Sequence, residues 1–475
     1  MKNNLFKKFL SFSYGSVIGL FIGILTTVIQ TRLLTPDEFG KASMFLLALN
    51  VFMILVVFGT DQTFVRFFYE EDLKKRGGLL YNSIKIPLFI AVLLGLILLL
   101  NYKTLSLFLF GEEMFIVIFM LVVGIITQSL MRFSILVIRM QQKGNLFSII
   151  EILKRAFQLV FLVLIYFIIG EQFEIIVYST IITFLMLSVF AILKEKKYWS
   201  IANLKVKKLK HSNLDILKYS YPLMFTTLIT WLFQSFDRIA LRQWSDFEEL
   251  GFYAAAFKIV ALLTVVQTAF STFWSPVVYE KFENDPGDKK FFSKTSNIIA
   301  FSMFLIAILT IMLKDIAIML LGSQFTEASL ILPFLVFMPL MYTISETTVI
   351  GINFYKKPNW HIFIATVSCM VNILGNWLLV PLYGGLGAAV STAFSYIIFF
   401  SLRTMISLRY FEVKYELGKL YTMVIIIIIY SLISININSV AINLIVGTLA
   451  FIVTLIIYFK ELKFILAFIK IKRNS

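Results

Sequence analysis

The chain has 475 residues, of which 59% are apolar and only 15% charged, and its 43 Lys and Arg against 27 Asp and Glu give a formal net charge of +16. Soluble domains average roughly 25% charged residues, and the deficit here runs the whole length, which excludes a soluble enzyme carrying one anchor. A single cysteine, Cys369, and two well-separated histidines, His211 and His361, offer neither a disulfide framework nor a metal centre.

A spanning helix needs about 20 mostly apolar residues, and backbone groups in lipid must pair within the segment, so such runs are helices. The first follows Lys2, Lys7 and Lys8 and extends to Leu34 without an Ala-x-Ala cleavage signal, so it reads as a span and not as a signal peptide. In chain order the predicted spans are 10–34, 41–65, 84–102, 114–138, 146–169, 173–193, 216–241, 251–278, 292–313, 326–350, 361–381, 384–408, 419–436 and 440–459. The fold class is therefore all-α and integral to a membrane, with about fourteen transmembrane helices and both termini on one side. No connection is long enough for a soluble catalytic domain, and the short alternating segments of an outer-membrane barrel are not visible.

Basic residues accumulate on the cytoplasmic side of a membrane. With the termini there, Arg32, Lys41, Lys103, Arg242 and Lys314 fall outside and Arg132, Arg238 and Lys258 within spans, while the remaining Lys and Arg are cytoplasmic. The richest loop carries Lys194, Lys196, Lys197, Lys205, Lys207, Lys208, Lys210 and Lys218. This explains the positive charge without nucleic acid as a partner. Segments 194–215 and 460–473 mix Lys with aromatic and aliphatic residues, a pattern shared by interfacial helices and by plain stop signals.

An internal repeat is visible. Thr31-Arg32-Leu33-Leu34 followed by Glu38-Phe39-Gly40, Ala42 and Phe45 is matched by Asp237-Arg238-Ile239-Ala240 followed by Glu249-Leu250-Gly251, Ala254 and Phe257, and the Glu-apolar-Gly elements stand 211 residues apart. Six spans separate the copies, so the halves are parallel repeats about an axis along the membrane normal, an arrangement in which transporters alternate access around a midplane site. The expected organisation is an N-terminal six-helix lobe (1–193), a basic amphipathic cytoplasmic linker (194–215), a C-terminal six-helix lobe (216–410), helices 13 and 14 (411–459) and a basic cytoplasmic tail (460–475).

Ionisable residues inside spans are costly and are functional candidates by default. They are Arg32, Asp61, Arg66, Arg132, Asp237, Arg238, Lys258 and Glu346. Five cations against three anions suit an anionic ligand, and Arg offers planar donors where Lys offers a point charge. Snorkelling from helix ends is the competing reading for Arg32 and Arg66, and pairing with Asp237 or Asp61 the competing reading for Arg238. Asp61, Asp237 and Glu346 are candidates for H+ or Na+ coupling or, equally, counter-ions to arginine. Gly15, Gly19 and Gly23 form a close-packing stripe on the first helix. Pro222, Pro333 and Pro339 interrupt the seventh and tenth, and Asn372 and Asn376 share a face of the eleventh that lines a cavity or bonds a neighbouring helix.

The stretch Thr31-Arg32-Leu33-Leu34-Thr35-Pro36-Asp37-Glu38-Phe39-Gly40 resembles the first loop of the polysaccharide export family, oligosaccharide flippases of the multidrug/oligosaccharidyl-lipid/polysaccharide exporter superfamily. So does Asn372-Ile373-Leu374-Gly375-Asn376-Trp377-Leu378-Leu379-Val380-Pro381 with Gly384, Gly387-Ala388-Ala389 and Ser391-Thr392, and so does Arg139 followed by Gln141-Gln142-Lys143. The resemblance implies a two-lobed, V-shaped flippase of the bacterial inner membrane. Its cargo would be an undecaprenyl-pyrophosphate-linked oligosaccharide, such as an O-antigen or capsule repeat unit, moved to the outer leaflet by alternating access, with membrane lipids and other polysaccharide assembly proteins as partners and no cofactor. Arg132, Arg32, Arg66, Lys258 and Arg238 are then the candidates for headgroup contact. A lipid II or teichoic-type flippase stays open; a multidrug exporter would have twelve helices and a more acidic cavity, and a membrane glycan polymerase would carry a long outer loop.

Overall fold

The computed structural model describes residues 2–205, 209–285, 287–437 and 439–473, so Lys207 and Lys208 of the basic loop lie outside the described residues. Nineteen α-helices succeed one another: α1 (Lys2–Leu33), α2 (Pro36–Val57), α3 (Thr60–Phe67), α4 (Arg76–Leu100), α5 (Tyr102–Phe110), α6 (Phe115–Met140), α7 (Gly144–Ile169), α8 (Glu174–Lys194), α9 (Asn213–Trp244), α10 (Phe247–Asn284), α11 (Lys289–Met312), α12 (Lys314–Leu321), α13 (Ala328–Leu335), α14 (Phe337–Thr348), α15 (Ile350–Phe354), α16 (Asn359–Tyr410), α17 (Leu417–Asn436), α18 (Val440–Ile457) and α19 (Phe459–Arg473). Among the described residues there is no strand.

Among the described residues, twelve helices are long and apolar enough to cross a membrane. Two details reconcile that number with the fourteen spans predicted. The 52-residue α16 has a break at Gly384, with φ 50° and ψ −130°; at 1.5 Å per residue it is more than twice as long as the ~30 Å hydrocarbon layer is thick, so it holds two crossings. The 32-residue α9 spans by length, but its polar residues, among them Gln234, Asp237 and Arg238, keep it below the hydropathy of the other spans. The tenth predicted span is broken at Val336, between Pro333 and Pro339, into α13 and α14. Large side chains such as Leu100, Phe167 and Ile168 stand about 80% exposed (83%, 80% and 79%), a surface that a hydrocarbon solvent accommodates and water does not.

The chain divides into two compact units, Met1–Arg238 and Ile239–Ser475. The loop after α8 belongs to the first. Tyr81 donates to the Trp199 carbonyl at 2.7 Å, and the backbone N–H groups of Lys210 and His211 donate to Glu71 Oε1 at 2.6 and 3.3 Å. His211 stacks on Phe67 and bonds Glu70 at 2.8 Å, which holds the Glu70 carboxyl below the usual carboxylate range.

Each unit contains the same long-range cap. In the first, Thr35 caps α2 by accepting from the Glu38 N–H, and Glu38 Oε2 accepts from the Phe173 N–H at the start of α8, 2.7 Å away and 135 residues on. In the second, Asp246 caps α10 by accepting from the Glu249 N–H, and Glu249 Oε2 accepts from the Gly385 N–H at 2.8 Å, 136 residues on, where α16 restarts after its break. A capping-box glutamate usually turns back to its own helix. Here both copies reach the unsatisfied first turn of another helix, and the Glu-apolar-Gly repeat is the trace of that device.

Of the glycine stripe on α1, Gly15 meets α7 most closely: a Cβ there would lie 2.4 Å from Ser148 Cα, and its N–H donates to Ser148 Oγ at 3.2 Å. At Gly19 the nearest atom is Arg155 Cγ at 3.5 Å, and at Gly23 nothing lies within 4 Å.

Candidate functional site

The chemistry of the first unit gathers where the second span breaks. Phe58 and Gly59 take left-handed backbone angles, φ 51° and 73°, which end α2 and start α3. Gly59 is obligatory here, because a Cβ would lie 2.5 Å from the Ser220 carbonyl of α9. Thr63 and Ser220 exchange a 2.6 Å hydroxyl bond beside it. The break leaves Asp61 in the first turn of α3, buried, facing α6.

Arg132 comes from α6, eight residues before its end at Met140, about 12 Å along the axis at 1.5 Å per residue. Its Nε donates to Asp61 Oδ2 at 2.7 Å, and its Nη2 donates to the same oxygen. The pair is lopsided: the Asp61 side chain is 5% exposed and that of Arg132 44%. Polar groups continue the surface, with Gln128 bonding Asn50 and Gln62 bonding Thr227, both at 3.5 Å. Asn50, Gln62 and Arg132 are exposed although they sit on or beside helices that span. Such groups in hydrocarbon face water or a polar ligand.

Sequence reasoning missed three neighbours on α7. Glu151, Lys154 and Arg155 lie seven to eleven residues in from Gly144, about 10–16 Å deep, and Lys154 interacts electrostatically with Glu151, Arg155 and Arg132. The signal was available as a Lys-Arg pair too far from the helix end for routine snorkelling. Together with Asp61 and Arg132 they make three cations and two carboxylates at one depth.

The other candidates sit elsewhere. Arg66 is exposed at the end of α3 and paired one turn on with Glu70, and Arg32 is exposed in the last turn of α1. Asp237 is buried in α9 and Arg238 half-buried beside it. Lys258 is exposed on α10, eleven residues from Phe247.

In the second unit Glu346 of α14 bonds Arg403 of α16 at 2.8 Å, with side chains 17% and 8% exposed. Arg403 also donates to Ser345 Oγ at 2.5 Å and lies over the Tyr342 and Phe399 rings at 5.4 and 5.0 Å. Arg403 was absent from the predicted set because it lies close to the end of its span and reads as a flanking charge. Asn372 and Asn376 are buried, with amides donating to Thr392 Oγ1 at 3.2 Å and Ser391 Oγ at 3.3 Å on the returning part of α16.

These features define a multi-pass, all-helical membrane protein with ion pairs held inside its spans. Its architecture matches solved transporters. One is the lipid II flippase MurJ in an inward closed conformation, at 17% identity over 95% of this chain and 99% of that chain, with a TM-score of 0.70. Another is an inward-facing multidrug resistance MATE family transporter of the MOP superfamily, at 13% identity over 85% and 95%, with a TM-score of 0.61. A third is a MOP superfamily transporter from Pyrococcus furiosus, its pocket described as reversed in polarity, at 13% identity over 85% and 95%, with a TM-score of 0.53. At these identities the likeness is one of fold. Comparison with curated protein sequences gives no match. The model of the polysaccharide biosynthesis protein family matches residues 5–282, and the chain belongs to that family.

Proposed function

We propose that this protein is a flippase carrying an undecaprenyl-diphosphate-linked oligosaccharide from the cytoplasmic to the outer leaflet of the bacterial inner membrane, with both termini cytoplasmic and by alternating access. The observation that carries the reading is the half-exposed Arg132, which spends two donors on one oxygen of Asp61 and keeps its outer face toward a polar surface inside the spans. Membership of a polysaccharide biosynthesis family supports a glycan cargo.

The chemistry follows from the charges. A diphosphate and its sugars cannot cross ~30 Å of hydrocarbon alone, and an arginine already inside the layer offers charge-assisted hydrogen bonds of about 1.5–3 kcal/mol each. Phosphate oxygens compete with Asp61 for Arg132, assisted by the charges of Lys154 and Arg155. The displaced Asp61 carboxylate is the group offered for coupling transport to H+ or Na+. Glu346, enclosed with Arg403, is assigned a structural role. Lipid II is the second reading of the cargo, favoured by the fold match to MurJ.

In cells lacking the gene, lipid-linked glycan accumulates on the cytosolic leaflet, and wild-type protein restores its export. Arg132→Ala fails to restore it while protein abundance stays normal. Full rescue by Arg132→Ala overturns the assignment.

A further inference from the structure

A second cationic site lies in the second unit, far in sequence from Asp61 and Arg132. A cavity of about 250 Å³ opens between the start of α11, the residue before α17 and the first turns of α19, and is lined by Lys290, Lys294, Asn297, Glu416, Lys460 and Glu461 among others. Both carboxylates are already engaged: Lys419 bonds Glu461 at 2.9 Å and Glu416 at 3.4 Å, and Asn297 donates to Glu461 at 3.3 Å. Among the described residues no carboxylate pairs with Lys290, Lys294 or Lys460. Lys294 is held instead over the Phe464 ring, 3.3 Å from its centroid. The cavity therefore presents three lysines that no carboxylate holds in an ion pair, Asp288 acting on Lys290 only at longer range.

Its depth decides what they meet. Lys289 begins a spanning helix, Leu417 begins another, and Ile457 ends a third, so the cavity sits at the level where hydrocarbon gives way to headgroups. Beside it α19 exposes Phe459 (52%), Phe464 (42%) and Leu466 (56%), apolar groups that enter the acyl boundary while the lysines stay at phosphate level.

We propose that this cavity is a binding site for the phosphodiester headgroup of an anionic glycerophospholipid. The reading is independent of the transported cargo, and the site anchors α19 to the membrane surface. A diphosphatidylglycerol headgroup, with two phosphates, matches three lysines better than a zwitterionic headgroup does. Each surface lysine contributes enough to change affinity about fivefold, and the three together about a hundredfold.

The test is native mass spectrometry of the full-length protein in detergent, titrated with cardiolipin and separately with phosphatidylcholine. Wild type is expected to bind cardiolipin at least tenfold more tightly. The triple variant Lys290→Gln, Lys294→Gln, Lys460→Gln is expected to lose about a hundredfold with its lipid-free melting temperature kept, and the single Lys460→Gln about fivefold should the triple fail to fold. Lys356→Gln with Lys357→Gln leaves binding unchanged. Equal affinity for both lipids, an undiminished variant, or equal loss in the Lys356/Lys357 control overturns the proposal. So does displacement of cardiolipin by millimolar inorganic phosphate, which identifies a free-anion site instead.

Discussion

Arg132 and Arg403 are both arginines held by a carboxylate inside spanning helices, and exposure separates them. Arg132 is 44% exposed and Arg403 8%, so the first can trade its partner for a ligand while the second is closed in by Tyr342, Phe399 and Ser345. Removing one member of an enclosed pair strands a charge and costs about 3–5 kcal/mol, whereas replacing both with apolar residues is often neutral. Glu346→Leu should therefore lower the melting temperature in detergent sharply, and Glu346→Leu combined with Arg403→Met should recover most of the loss and retain export. A stable double variant without export would show that Glu346 acts in transport. Asp61 and Arg132 were legible in the sequence as charges in apolar runs. Their partnership was not, because it depends on the left-handed turn at Phe58 and Gly59, which has no pattern of its own beyond one glycine.

Among the elements, α1 shows how a motif overstates its reach. Gly15, Gly19 and Gly23 recur at helical spacing, yet only Gly15 packs too closely for a Cβ, against the Ser148 backbone. Gly15→Ala forces α1 from α7 and should destabilise by about 1–3 kcal/mol. Gly23→Ala meets open space and should be neutral or stabilising by up to about 1 kcal/mol. Thermal unfolding of the two variants in one detergent separates them, and equal effects would refute the packing account. Helix existence followed from apolar length, and the break between α13 and α14 from Pro333 and Pro339; the expected interruption at Pro222 is absent, since α9 runs unbroken through it.

At the scale of the molecule, the two units repeat a contact as well as a sequence pattern. Glu38 and Glu249 each cap a helix start 135 and 136 residues on, which explains why a short motif recurs half a chain apart. Repetition of scaffold leaves the chemistry unrepeated: the first unit keeps an exposed arginine within electrostatic reach of Lys154, and the second an enclosed pair. Substrate identity was not legible in these structural motifs, because they mark caps and kinks and not ligand contacts.

The most direct measurement is translocation in proteoliposomes loaded with a labelled undecaprenyl-diphosphate oligosaccharide, read by the accessibility of the inner-leaflet pool to an impermeant reagent. Wild-type protein is predicted to expose that pool and Arg132→Ala to leave it protected. Equal exposure by both proteins would contradict the account.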